Sequence, residues 1–101
     1  MASPKILVFA GSIRTGAYSG KLAAAAAKDF AVNGADVTLI SLTDYPLPIY
    51  NGDLEENEGV PGTAKALAEK FVASQGIFIA APEYNGGITP LLKNTIDWVS
   101  R

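Results

Sequence analysis

The chain has 101 residues, 49% of them hydrophobic and 18% charged, with a formal charge of −2, the make-up of one soluble globular domain at most. Its 8 Lys and Arg are scattered and outnumbered by 10 Asp and Glu, so no basic stripe for nucleic acid can be drawn. It has no Cys and no His, which excludes disulfides, thiolate nucleophiles, imidazole bases and Cys or His metal ligands, and with them the ordinary hydrolase triads.

Met1-Ala2-Ser3-Pro4 leads straight into Lys5-Ile6-Leu7-Val8-Phe9-Ala10 with no basic-then-apolar leader. A cytoplasmic location is expected. The longest apolar stretches, such as Leu22 to Ala27, are far below the ~18–20 residues a membrane span needs, so no membrane partner is expected.

Lys5 to Ala10 is an apolar run of strand length ended by Gly11, the pattern of a strand buried on both faces of a sheet. Tyr18 to Val32, rich in alanine, predicts a helix that stops at Asn33-Gly34. Asp36 to Ser41 predicts a second strand. Thr43 to Pro61, with Pro46, Pro48 and Asn51-Gly52, reads as an exposed connection without regular structure, and Glu55, Glu56 and Glu58 as its solvated charges. Thr63 to Ser74 predicts a helix burying Ala64, Leu67, Ala68, Phe71 and Val72. Ile77 to Ala81 predicts the third strand. The last helix opens on Thr89 as N-cap and Pro90 in its first turn, and presents Leu92, Ile96 and Val99 on one stripe. Trp98 falls off that stripe and is expected at an interface or half-buried; Lys93, Asp97 and Arg101 are spaced for surface ion pairs.

This βα alternation predicts an α/β fold with a parallel sheet, residues 1–101 forming part of one domain. Ligands of such sheets bind beyond the carboxyl ends of the strands. After the first strand, Gly11 to Ser19 combines two glycines, three Ser and Thr hydroxyls and Arg14 just before a helix start, a loop suited to an anion. It lacks the Walker Lys and the second glycine of the dinucleotide fingerprint, which leaves a terminal phosphate monoester, or simple helix capping by Ser12 and Thr15. After the third strand, Pro82-Glu83-Tyr84-Asn85-Gly86-Gly87 offers an aromatic ring and backbone donors to a planar heterocycle, or a plain turn with Asn85-Gly86 at its corner. With strand order 2-1-3 the two loops share one crevice.

These residues resemble the NAD(P)H-dependent FMN reductase family of the flavodoxin-like fold, which includes quinone, azo-dye and chromate reductases. Gly11-Ser12-x-Arg14 with Ser19 and Leu22 is similar to the family's phosphate loop. Pro82-Glu83-Tyr84-Asn85 and Leu92-Lys93-Asn94-x-Ile96-Asp97-Trp98 are similar to its second signature. Ala17 stands where a serine is usual and Ser19 where an asparagine is usual.

The resemblance implies that Ser12, Arg14 and Ser19 hold the FMN phosphate and that Pro82, Glu83, Tyr84, Asn85 and Gly86 line the isoalloxazine edge. It implies hydride transfer from NAD(P)H to FMN and on to a quinone-like acceptor, with no catalytic side chain required; a non-catalytic FMN-binding or assembly module is the alternative. It also implies a dimer in which Tyr84 and Trp98 could take part. A five-stranded domain of this kind needs about 150 residues at roughly 30 per βα unit, so the chain is expected to be a fragment, pairing with a missing C-terminal half or with another copy across the open edge of the third strand.

Overall fold

The computed structural model describes residues 3–101; the leaderless start read at Met1 and Ala2 lies outside them. Three strands, β1 (Lys5–Ala10), β2 (Asp36–Leu39) and β3 (Gly76–Ala80), alternate with α1 (Tyr18–Val32), α2 (Gly52–Glu58), α3 (Gly62–Ala73) and α4 (Pro90–Val99). All strand pairs are parallel and the order is β2-β1-β3, with Ile6 opposite both Val37 and Gly76. This is the flavodoxin-like α/β arrangement that the sequence predicts.

Helices cover both faces of β1, which is why its apolar residues do not alternate with polar ones. On one face Val8 packs with Ala23, Ala27 and Ala80, ringed by Ile6, Phe30, Val37 and Phe78. The alanines that α1 turns inward let its backbone lie close to the sheet. On the other face Leu7 and Phe9 meet Leu42, Leu67 and Leu92, with Phe71 and Ile79 around them. Leu7, Val8, Phe9 and Leu67 are wholly buried, each contributing about 1.5–3 kcal/mol relative to an exposed side chain. The helix α1 ends as expected, with Gly34 at φ +94° and the Ala35 N–H on the Phe30 carbonyl.

Thr43 to Pro61 is more ordered than predicted. A 3₁₀ turn spans Leu42–Asp44, and Asn51 caps α2 by accepting from the Asp53 N–H at 2.9 Å. Asp53 and Glu55 in the first turn suit the positive end of the α2 dipole. The helix buries no residue, so no apolar period announces it. Before it, the strap Pro46–Asn51 is pinned to α4. Asn94 donates to the Pro48 carbonyl (3.0 Å) and accepts from the Tyr50 N–H (2.7 Å), and Trp98 Nε1 donates to the same Pro48 carbonyl (2.7 Å).

The contacts of this strap, and the burial seen along α4 and α3, correct several expectations. Trp98 is completely buried, edge-on to the Tyr50 ring at 4.9 Å, and not half-buried or free for an interface. The inner face of α4 runs Leu92, Thr95, Trp98, while Ile96 is 40% exposed; Thr95 can be buried because its hydroxyl donates to the Leu91 carbonyl at 2.8 Å. Glu55 is not a solvated loop charge: it accepts from the Tyr50 hydroxyl at 2.7 Å and pairs with Arg101 at 3.3 Å. Arg101 therefore joins α2, leaving Lys93 and Asp97 as the i, i+4 pair on α4. In α3, Val72 lies outside the core at 87% exposure.

Candidate functional site

The site begins where β1 ends. The Gly11 N–H donates to the Ala80 carbonyl at 2.9 Å, and the Gly11 carbonyl accepts from the Thr89 hydroxyl at 2.6 Å. The ends of β1 and β3 and the start of α4 are thereby tied at one point. A Cβ on Gly11 would lie 3.2 Å from Leu92 Cδ2 and 3.5 Å from Ala81 Cα, so the approach depends on the missing side chain. Thr89 is itself buried and also caps α4 by accepting from the Leu92 N–H at 3.1 Å.

From Gly11 the chain loops through Ser12 to Gly16 into α1. Neither Ser12 nor Thr15 caps that helix: its N-cap is Ala17, no side chain caps it, and its first turn holds no acid. Ser12 Oγ instead accepts from the Arg14 N–H at 3.3 Å. The positive end of α1 is open, with unpaired N–H groups in its first turn. In that turn Ser19 Oγ is buried and has no hydrogen-bond partner among the described residues, a loss of about 1–3 kcal/mol unless a ligand or water satisfies it. Arg14 is exposed and makes no ion pair among the described residues.

The second loop is a tight hairpin. Tyr84 and Gly87 exchange both backbone hydrogen bonds, at 2.9 and 3.0 Å, around Asn85 and Gly86 at φ +53° and +81°. This is the backbone that Asn-Gly sequences favour. The hairpin holds Tyr84, half exposed, opposite the first loop.

The two loops enclose a cavity of about 210 Å³ lined by Ser12, Arg14, Gly16, Ala17, Tyr18, Ser19, Pro82 and Tyr84. A second hollow of about 300 Å³ continues from it past Ser12, Arg14 and Tyr84 to Thr89, Pro90 and Leu91. Of the residues singled out in the sequence, Ser12, Arg14, Ser19, Pro82 and Tyr84 converge here. Glu83, Asn85 and Gly86 do not line either hollow; Asn85 and Gly86 form the exposed hairpin tip. Tyr18 lines the cavity and was not anticipated, although an aromatic residue at a helix start after a glycine loop is a visible signal. Thr89 was read only as a cap, since its bond to Gly11 crosses 78 positions.

The profile of the family described as NADPH-dependent FMN reductase matches residues 4–101. The chain belongs to that family. Among curated members, this FMN reductase family chain is 37% identical over 97 residues to a quinone reductase of Escherichia coli (strain K12), the match covering 96% of this chain and 50% of that protein. It is 38% identical over 100 residues to an NAD(P)H:quinone oxidoreductase of Solanum tuberosum, again with 96% and 50% covered. It therefore spans about half the length of the curated relatives it matches. The flavoenzyme NAD(P)H:(acceptor) oxidoreductase FerB of Paracoccus denitrificans superposes with a TM-score of 0.76 at 28% identity, over 97% of this chain and 51% of that one. An azoreductase of Bacillus anthracis, at 22% identity and TM-score 0.71, over 100% of this chain and 56% of that one, shares the fold. Among the described residues no helix is long and apolar enough to cross a membrane.

Proposed function

We propose that this chain binds FMN between its two loops as part of a cytoplasmic NAD(P)H-dependent reductase whose acceptors are quinone-like. The observation that carries this reading is the buried Ser19 hydroxyl, without a partner among the described residues, beside an uncapped helix start and an Arg14 that forms no ion pair among those residues, across one cavity from Tyr84. Orphaned donors, a positive dipole end and a guanidinium are the chemistry of a dianionic phosphate site. The residues fit the group.

Ser12, Arg14, Ser19 and the first N–H groups of α1 would hold the phosphate. Pro82 and Tyr84 would border the ring, with Glu83, Asn85 and Gly86 supplying the adjoining backbone of the hairpin. Flavin, when bound, supplies the exchange of two electrons between a nicotinamide and an acceptor. The side chains bind and orient; none is assigned a proton transfer, in keeping with a chain without His or Cys.

Titration with FMN and with riboflavin, followed by flavin fluorescence, tests this. FMN should bind more tightly than riboflavin, Arg14→Ala should remove most of that preference, and Tyr84→Ala should weaken both ligands. Equal affinity for FMN and riboflavin would refute the phosphate site. A second reading is an FMN-binding or assembly module without turnover. Anaerobic NADPH separates the two: bleaching of the bound flavin supports the reductase, and a persistent yellow complex supports the module.

A further inference from the structure

The chain contains three Asn-Gly pairs, Asn33-Gly34, Asn51-Gly52 and Asn85-Gly86. Such a pair can react with itself: the main-chain nitrogen of the glycine attacks the Asn Cγ, and the absent glycine side chain leaves that approach open. The reaction needs an Asn amide that is free to turn, a glycine N–H not committed to a carbonyl, and a backbone able to rotate between them. The three pairs differ on each point.

Asn33 closes α1. Its Nδ2 donates to the Asp29 carbonyl at 2.7 Å, its own N–H donates to the same carbonyl at 3.1 Å, and the Gly34 N–H donates to the Ala31 carbonyl at 3.1 Å. Every group the reaction needs is engaged there. Asn51 opens α2: its Oδ1 accepts from the Asp53 N–H at 2.9 Å and its carbonyl accepts from the Glu55 N–H at 3.0 Å. Rotation at Asn51 gives up both the cap and the first turn, and Glu55 is anchored in addition by Tyr50 and Arg101. Asn85 is different. It is exposed at the hairpin tip, and among the described residues neither its side chain nor the Gly86 N–H has a hydrogen-bond partner. Its φ of +53° lies in the left-handed region that a residue with a Cβ holds at a cost, so leaving it needs little beyond opening the two Tyr84–Gly87 hydrogen bonds.

We propose that Asn85 is a site of spontaneous covalent modification on the rim of the cavity. The Gly86 nitrogen bonds to the Asn85 Cγ, the Cγ–Nδ2 bond breaks, and ammonia leaves with the proton that the Gly86 nitrogen gives up. Water then opens the five-membered ring at one carbonyl or the other, to aspartate or isoaspartate; nothing is oxidised or reduced. Aspartate sets a second carboxylate near Glu83, whose Oε1 lies 4.0 Å from where a Cβ on Gly86 would stand. Isoaspartate routes the main chain through the former side chain and adds a methylene between Tyr84 and Gly87. Their two hydrogen bonds then no longer close together, and Tyr84 loses the hairpin that holds it against the cavity. The inference does not rest on the flavin reading, and its test contains no flavin.

The full chain is kept in warm, mildly alkaline buffer, and samples taken over time are digested and mapped by mass spectrometry, with electron-transfer fragmentation to tell isoaspartate from aspartate. Asn85 should convert at least tenfold faster than Asn33 and Asn51, with isoaspartate among the products. The modified protein, separated by its extra negative charge, should exchange the Tyr84 and Gly87 amides at least threefold faster than fresh protein. Asn85→Gln, whose longer side chain would have to close a six-membered ring, should stay unmodified at that position over the same interval and keep the slower exchange. No conversion at Asn85, conversion of Asn33 or Asn51 as fast as Asn85, or isoaspartate at position 85 with unchanged exchange at Tyr84 and Gly87 would each overturn the proposal.

Discussion

Thr89→Val is a nearly isosteric change that removes one hydroxyl and little else. That hydroxyl donates to the Gly11 carbonyl at 2.6 Å and accepts from the Leu92 N–H at 3.1 Å, in a residue only 2% exposed. Losing the N-cap acceptor costs about 1 kcal/mol, and leaving the buried Gly11 carbonyl unpaired costs about 1–3 kcal/mol. The two terms fall on different partner groups, the Leu92 N–H and the Gly11 carbonyl, and together give an expected loss of about 2–4 kcal/mol. For a domain near this size each kcal/mol moves Tm by about 4–8 °C, which predicts a fall of at least about 8 °C. Thr89→Ser keeps both hydrogen bonds and loses one methyl group, about 0.8 kcal/mol. Urea unfolding of the three proteins decides the matter. Wild type should be most stable, Ser slightly less so, and Val at least about 1 kcal/mol below Ser. A Val variant as stable as the Ser variant would show that the tie between β1 and α4 contributes nothing, and the account of how the first loop is anchored would fail with it.

Asn94→Ala should cost about 1–2 kcal/mol, since it deletes two backbone contacts of about 1 kcal/mol each at a partly solvated position. The Tyr50 amide should then exchange faster, whereas the Pro48 carbonyl keeps its Trp98 partner; unchanged exchange at Tyr50 would contradict the pinned strap. The Glu55 carboxyl is held below its ordinary range, first because the Tyr50 hydroxyl donates to it and then because Arg101 does. A depressed folded pKa gives stability that is present above the unfolded value of about 4.3 and lost as pH falls through the folded value. Glu55→Gln should therefore flatten the fall of stability on acidification below pH ~4.5, and parallel profiles for the two proteins would refute the contribution. Gly34→Ala should lower stability by about 1 kcal/mol although its Cβ would meet nothing within 4 Å, because φ there is +94°. An unchanged urea midpoint would show that the backbone relaxes freely.

What was legible in the sequence is what local physics determines. The bounds of α1 coincide with the alanine-rich segment and its Asn33-Gly34 stop, and each strand lies within two residues of its apolar run. The strand order 2-1-3 is one of those that the rules for parallel βα units allow and the one the family resemblance implies, and it brings Ser12, Arg14, Ser19, Pro82 and Tyr84 to one cavity. The surroundings of Trp98 and Glu55 were not legible. Trp98 bonds to Pro48, 50 positions away, and Glu55 pairs with Arg101, 46 positions away, as well as with Tyr50 across the start of α2, and nothing in helical spacing points to them. Thr95 misled the reading of α4 in a different way: a polar residue that returns its hydroxyl to its own helix can occupy a core position. The Asn85-Gly86 hairpin was visible as a turn, but which neighbours it turns away from the cavity depends on the pairing of Tyr84 with Gly87.

The segment Leu92 to Trp98, one of the motifs that identifies the family resemblance, lines neither hollow of the site. Its residues act on backbone elsewhere. Leu92 fills the space under Gly11, Asn94 uses both ends of its amide on the strap, and Trp98 sets its ring in the core while its N–H reaches Pro48. Lys93 and Asp97 pair on the surface, where the interaction is worth at most about 0.5 kcal/mol. Neither Gln nor Asp can replace Asn94 without changing reach or losing the donor, and no other side chain combines the apolar bulk of Trp98 with a single N–H. Since Thr89 at the head of the same helix holds the Gly11 carbonyl, α4 is a rigid link between the strap and the loop that opens the cavity. The sequence requirements of this motif thus follow from positioning the cavity wall and need no direct contact with a ligand.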